Sequence, residues 1–416
     1  MSRKFWVIIH RWAGLTLVFF LTVAGFTGIF LAWTDELEGV ITPGLHRVEA
    51  PVAGSLPLPP LVLRERVLAN YPGAQIRYLP LHSKPGHSVT YYVERIDPKS
   101  GALTNYSDQW DQLFIDPYNG RTLGTRRWGD IGQGLKNLMP FIYRLHYSLA
   151  LGDLGVLAFG VAALIWTLDS FVGFYLTLPV RVPRRMEAAP LAGPGWLRRW
   201  KPSWSIRWGS SAYKINFDIH RAGGLWIWPM LLVFAWSSVA FNLTPVYVPV
   251  MKLFGAAEPR ATLPVLGKPN YHPKLDVAAA VHRGAELAQQ EMTRRGLTAG
   301  TANSISYSPG SGTYAYSFTS EKDFTLDGGR STVSFSGSNG RLLQASLPAG
   351  ENSANTFTNW IMALHMGMVF GLPYRIAVSL IGAMVTALSV TGVVIWMKKR
   401  SGRSVRKLRR GLPPML

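Results

Sequence analysis

The sequence contains no cysteine. Structural disulfides, thiolate zinc sites, iron–sulfur clusters and covalent c-type haem all require that residue, so each is excluded. Acidic residues are scarce, 23 against 43 Lys and Arg, which leaves a formal charge of +20. An excess of this size raises nucleic acid as a partner, but its placement argues against one. Eight basic residues between Arg181 and Lys214 meet the single acid Glu187, and eight more from Lys398 to Arg410 meet none. Arg3, Lys4 and Arg11 flank the first apolar run. Basic segments beside apolar runs follow the positive-inside rule, so the N-terminus, middle loop and tail are expected on the cytoplasmic side. The tail then reads as a membrane-surface anchor, not a nucleic-acid arm. Walker A, GxGxxG, HExxH and GxSxG contexts are also missing, and with them support for nucleotide binding or hydrolysis.

Hydrophobic residues make up 48% of the chain and fall into long runs. The first, residues 5–33, is 29 residues long, against the roughly 20 needed to cross a bilayer as a helix. It imitates a signal peptide but is much longer than a signal core, and Trp33-Thr34-Asp35-Glu36 offers no small-residue cleavage site, so it reads as an uncleaved span. The expected organisation is span one at 1–34, an outer α+β module at 35–136, a His-bearing helix with span two at 137–178, and a basic connector along the membrane at 179–214. Span three follows at 215–243 with a kink at Pro229, then a second outer module at 244–356, a His helix with span four at 357–397, and the basic tail 398–416. Within the modules, residues 61–70 and 275–295 have helical spacing. Residues 75–81, 88–95, 304–307, 313–319 and 331–335 read as strands, and 112–123 and 332–343 as strand–turn–strand. The fold class is thus an α-helical polytopic membrane protein of four transmembrane helices with two periplasmic α+β modules and short His-bearing interfacial helices.

The halves repeat. His10-Arg11-x-x-Gly14 recurs as His220-Arg221-x-x-Gly224, and Leu145-His146 to Gly152 matches Leu364-His365 to Gly371. His146 precedes Gly173 by 27 residues, as His365 precedes Gly392. Equivalent spans cross in the same direction, so the duplication is parallel. Four of the nine histidines occupy matched positions, while His46, His82, His87, His272 and His282 scatter through the outer loops and read as solvated. Histidines paired by depth on neighbouring helices suit bis-imidazole b-type haem, which needs no cysteine: His10 with His220 near the cytoplasmic face and His146 with His365 near the outer one. The levels are then about 20–30 Å apart. Gly14 and Gly224, one turn after their histidines, leave room for a flat macrocycle. Arg11 and Arg221, with Arg144 on the outer side, are candidate propionate partners. Interfacial histidines, a proton relay, and arginines serving only as positive-inside anchors remain open alternatives. No acids converge near either pair to complete another metal site. Asp169, inside span two and opposite Leu388 in the duplication, is expected to pair with a neighbouring hydroxyl or to serve a proton or quinone.

Taken together, His10-Arg11-Trp12-x-Gly14, its echo at His220, Leu145-His146-x-x-Leu149-x-x-Gly152, Phe114-Ile-Asp-Pro-Tyr-Asn-Gly120 and Thr391-Gly392 make the chain resemble the PepSY-associated transmembrane family of bacterial inner membranes. The outer modules would be PepSY-like. The resemblance implies a di-haem inner-membrane reductase of ferric siderophores, with His10, His146, His220 and His365 as haem ligands and iron(II) released in the periplasm. The second module departs from the pattern, with Phe335-Ser-Gly-Ser-Asn-Gly340 in place of the Asp-Pro turn, and no flavodoxin-like domain is fused. Electrons would come from a membrane quinol or a separate cytoplasmic flavoprotein. The rival readings are a cytochrome b relay to a periplasmic partner and a haem-free PepSY scaffold or transporter.

Overall fold

Residues 2–52, 54–180, 195–255, 263–326 and 328–411 are described in the computed structural model, the last ten by backbone alone. Arg181, Arg184, Arg185 and Glu187 of the expected connector lie outside them. The chain divides into two units, a helical one (residues 1–32, 144–247 and 373–416) and an α+β one (33–143 and 248–372).

The helical unit holds α1 (Arg3–Leu31), α6 (Asp153–Thr177), α8 (Ala212–Trp226), α9 (Trp228–Asn242) and most of α13 (Gly371–Gly411). Among the described residues three helices are long and apolar enough to cross a membrane, α1, α6 and the Gly371–Ser401 part of α13; α8 and α9 make a fourth if the bent pair counts as one span. That fourth is not a kinked rod. The two halves meet at 70°. Pro229 sits in the first turn of α9, where its missing N–H costs nothing, while in a continuous helix its ring would clash with the Leu225 carbonyl four residues back. The break therefore falls at Ile227, two residues before the expected kink.

Small residues set the spacing between helices. A Cβ on Gly25 would stand 2.8 Å from the carbonyl oxygen of Gly382 and 2.7 Å from Thr386 Oγ1, so α1 and α13 cross nearly backbone to backbone. Arginines close the helix ends: Arg3 donates to the carbonyls of Leu176 and Leu178, and Arg375 to that of Ala32. Trp12, Phe19 and Phe26 of α1 and Leu157, Leu168 and Phe171 of α6 face outward, as lipid-facing residues do. At the start of α6, Leu149, Ala150 and Gly152 have positive φ, and a Cβ on Gly155 would overlap the Ser148 carbonyl. The Gly-Asp-x-Gly break is thus a sharp reversal out of α5 (Leu138–Ser148). Phe370 and Gly371, both at positive φ, open α13 in the same way.

The α+β unit corrects the expectation of two separate modules. It holds α2 (Thr34–Ile41), α3 (Pro43–His46), α4 (Pro60–Asn70), seven short strands, α11 (Val277–Arg294), four longer strands and α12 (Ser353–His365). The helix α10 (Thr244–Leu253) leads into its second half. The largest sheet runs β11 (Leu342–Ser346), β10 (Ser331–Ser336), β9 (Thr313–Ser320), β8 (Ala299–Ser308), and then β2 (Tyr78–Pro80) from the first half. Tyr78, Leu79 and Pro80 pair with Ser306, Ile305 and Ser304. A second sheet orders β3 (Val89–Tyr92), β6 (Gln112–Ile115) and β7 (Thr122–Arg126), and a third β1 (Ala74–Gln75), β4 (Glu94–Ile96) and β5 (Leu103–Asn105). One apolar core joins the halves, with Leu63, Val67, Tyr91 and Leu113 from the first and Leu287, Ile305, Phe318 and Phe335 from the second. The modules share their interior, and they fold as one body.

The duplication survives in detail. Gly120, at φ 78°, closes a turn by donating its N–H to the Asp116 carbonyl, and Gly340, at φ 68°, does the same to Ser336. Where Asp116 Oδ1 accepts from the Tyr118 N–H, Ser336 Oγ accepts from that of Ser338, so serine replaces the Asp-Pro turn without changing it. Both strands entering these turns carry a register shift, at Phe114/Ile115 and at Ser334/Phe335.

Candidate functional site: buried histidines in the helical unit

Three of the four matched histidines lie in the helical unit, and each is held through Nδ1. His10 on α1 points at α6, its Nδ1 2.9 Å and 3.0 Å from the two carboxylate oxygens of Asp169. His220 on α8 points at α13, its Nδ1 3.0 Å from the Leu388 carbonyl and 3.1 Å from Thr391 Oγ1. His146 on α5 meets Thr27 Oγ1 of α1 at 3.0 Å.

These partners decide the tautomer. A carboxylate and a backbone carbonyl only accept hydrogen bonds. The Thr27 hydroxyl spends its proton on the Val23 carbonyl at 2.6 Å, and Thr391 spends its own on Ala387 at 2.7 Å, so both threonine oxygens accept from the imidazole. Each of the three rings therefore carries a proton on Nδ1, which in the neutral imidazole leaves the lone pair on Nε2. Histidines that bind metals are arranged in this way, the second nitrogen donating to a carboxylate, carbonyl or hydroxyl that fixes the ring.

Glycine backs each ring. A Cβ on Gly173, Gly392 or Gly28 would stand 3.3 Å from Cε1 of His10, His220 or His146 respectively. Gly173 and Gly392 are the ends of the two 27-residue spacings, so the repeat already marked them, although only their distances and not their contacts were visible. Thr391 was marked only as part of the Thr391-Gly392 motif, and Thr27 and the Leu388 carbonyl left no mark, because a threonine in an apolar helix ordinarily bonds its own backbone. Asp169 is 7% exposed and bonds a histidine, not the expected hydroxyl.

The structure brings His10 and His220 together. Their ring centres are 6.1 Å apart with planes inclined at 55°. Beside them, a Cβ on Gly14 would meet nothing within 4 Å, and one on Gly224 only Leu388 at 4.0 Å. Arg11 lies 5.7 Å from the Trp12 ring and makes no ion pair among the described residues; its Nε is buried without a partner. Arg221 donates to Asp218 at 2.9 Å and to the Pro202 carbonyl at 2.7 Å, yet its Nε too is buried and unpartnered. Asp218, fully buried two residues before His220, also takes a two-pronged bond from Arg207 at 2.7 Å and 2.9 Å. Sequence reasoning passed over Asp218, although an acid inside a strongly basic stretch was the available signal. Arg144, half-buried on α5, accepts from Ser148 Oγ through its carbonyl.

His365 is the last residue of α12 in the α+β unit. Of the scattered histidines, His282 is exposed, but His46 is not. Its side chain packs edge-on to Phe114 with Nδ1 3.7 Å from Glu38, and burial pulls its pKa below the usual histidine value.

The long apolar helices place the chain among membrane proteins. A family model described as the PepSY-associated TM region matches residues 7–399, and the chain belongs to this family. No curated protein matches it.

Proposed function

We propose that this protein is a di-haem b reductase of a bacterial inner membrane that carries electrons outward to a ferric siderophore. The observation that carries the reading is the His10/His220 pair: two rings in the metal-binding tautomer with centres 6.1 Å apart. Two imidazoles on opposite sides of one iron, each nitrogen about 2 Å from the metal, have ring centres about 6 Å apart. The spacing supports an iron between them. The unpartnered Nε atoms of Arg11 and Arg221 fit the carboxylates of haem, and the space at Gly14 and Gly224 fits its ring. When bound, haem iron alternates between iron(III) and iron(II) and so passes one electron at a time.

In this reading His10 and His220 present Nε2 to one iron, while Asp169, Leu388 and Thr391 hold the rings. His146, which Thr27 orients, would serve a second haem. The basic flanks of the spans support a cytoplasmic N-terminus and tail, which leaves the α+β unit in the periplasm. A quinol or a flavoprotein supplies the electrons. One electron converts chelated iron(III) to iron(II), which hard oxygen donors hold far less tightly.

The test is reoxidation. Purified protein reduced with dithionite is mixed with ferric hydroxamate siderophore and a ferrous chelator. Loss of the reduced haem bands with matching iron(II) capture supports the reductase. Reduced bands that persist point to a cytochrome b relay, and a colourless protein to a haem-free scaffold.

A further inference from the structure

The two halves hold equivalent histidines by different chemistry at the same place. Asp169 of α6 and Leu388 of α13 occupy corresponding positions of the duplication, four residues before Gly173 and Gly392, and both face the histidine of their half. Leu388 offers His220 a neutral backbone carbonyl, joined by the Thr391 hydroxyl. Asp169 offers His10 a carboxylate, both oxygens within 3.0 Å of Nδ1. His146 meets the neutral Thr27 hydroxyl at 3.0 Å.

Asp169 is buried, and among the described residues no Lys or Arg pairs with it. A structural anchor for an imidazole needs no charge, as Leu388 demonstrates in the other half. Placing a carboxylate in a membrane helix with no Lys or Arg beside it among the described residues is costly, and a simple orienting role does not account for that cost.

Resting on the haem reading above, we propose that Asp169 is a positioning residue that makes the His10/His220 haem the low-potential end of the electron path. Two effects act in one direction. A carboxylate accepting from Nδ1 makes the imidazole a stronger electron donor through Nε2, which favours the oxidised iron. A fixed negative charge in a medium of low dielectric also opposes the arrival of an electron nearby. The neutral Thr27 hydroxyl beside His146 supplies neither effect. Electrons entering at His10/His220 therefore run downhill toward the histidine held by Thr27, and the outward direction is written into one acid that the duplication did not copy.

The test is spectroelectrochemical titration of both haems in the full-length protein, with haem counted per chain. Asp169→Asn keeps an acceptor for Nδ1 and removes the charge. One of the two midpoint potentials is expected to rise enough to lower its oxidised-to-reduced ratio about tenfold at a given applied potential, about 59 mV for one electron, with the other unmoved. Asp169→Glu restores the original value if charge is the cause. Two bound haems with both potentials unchanged in Asp169→Asn overturn the inference and leave the haem reading intact. A wild-type protein without haem overturns both. Should Asp169→Asn shed a haem, Thr27→Asp carries the test from the other side: a carboxylate beside His146 must lower the potential of the second haem, and no shift there overturns the proposal.

Discussion

Each imidazole in the helical unit sits between a hydrogen-bond acceptor and a glycine, and both are required for its pose. The acceptor fixes the tautomer; the glycine leaves the ring its space. Gly173→Val places branched carbon where 3.3 Å already separates a Cβ from His10 Cε1, and the neighbour must yield. The expected result is loss of one haem per chain with the other retained, read from the pyridine haemochrome. His10→Ala and His220→Ala should each remove that same haem and not different ones, since the two rings face each other at 6.1 Å. His46 supports a separate expectation in the α+β unit. Burial lowers its pKa, outweighing the pull of Glu38 and Asp35, while Arg126 and His87 push the same way as burial. A histidine with a depressed folded-state pKa leaves stability intact above its unfolded value of 6.5 and erodes it as pH falls through the folded one. The melting temperature should fall below about pH 6.5 more steeply in wild type than in His46→Gln, followed by circular dichroism. At this scale the matched histidines were readable from repeated motifs. The Asp169 partnership was not, because 159 residues separate it from His10 and no local pattern reports a contact across helices.

Among the elements, long apolar runs and strand–turn–strand repeats were readable because periodicity and turn chemistry are local. Helices α4 and α11 and strands β8, β9 and β10 fall close to where spacing placed them. The misses have tertiary causes. Helices α2, α3 and α10 are short and carry weak periodicity, and the bend at Ile227 depends on how Pro229 starts a new helix. Strand β2 pairs with β8 more than 220 residues away, which nothing near Tyr78 announces. The close crossing of α1 and α13 also belongs here. Gly25→Leu would force a side chain into the Gly382 backbone, and we expect the variant to lose thermal stability in detergent and both haems with it, measured by scanning fluorimetry and absorbance. Between α6 and α8, the rings of Trp196, Trp200 and Trp204 meet in sequence with centres 5.1–5.2 Å apart, the first pair tilted and the second T-shaped, beside Arg198, Arg199 and Lys201. Such a composition suits an interface with anionic headgroups. Replacing the three cations with glutamine should weaken retention on phosphatidylglycerol nanodiscs relative to neutral ones in native mass spectrometry.

For the whole molecule, duplication has been put to two uses. In the helical unit the halves contribute histidines that face one another; in the α+β unit they merge into one sheet and one core. That shared core has a measurable consequence. Phe335 is fully buried among residues of both halves, and Phe335→Ala should cost about 3–5 kcal/mol, with the loss spread over strands of the first half as well as the second in hydrogen exchange. Protection lost only in β8–β11 would mean the modules are energetically separate. The most direct measurement of the central claim is the optical spectrum of the purified protein, as isolated and after dithionite, with haem counted per chain. Two low-spin b-type haems, one lost in His10→Ala and the same one in His220→Ala, is the result the account requires. A protein without a Soret band would contradict it.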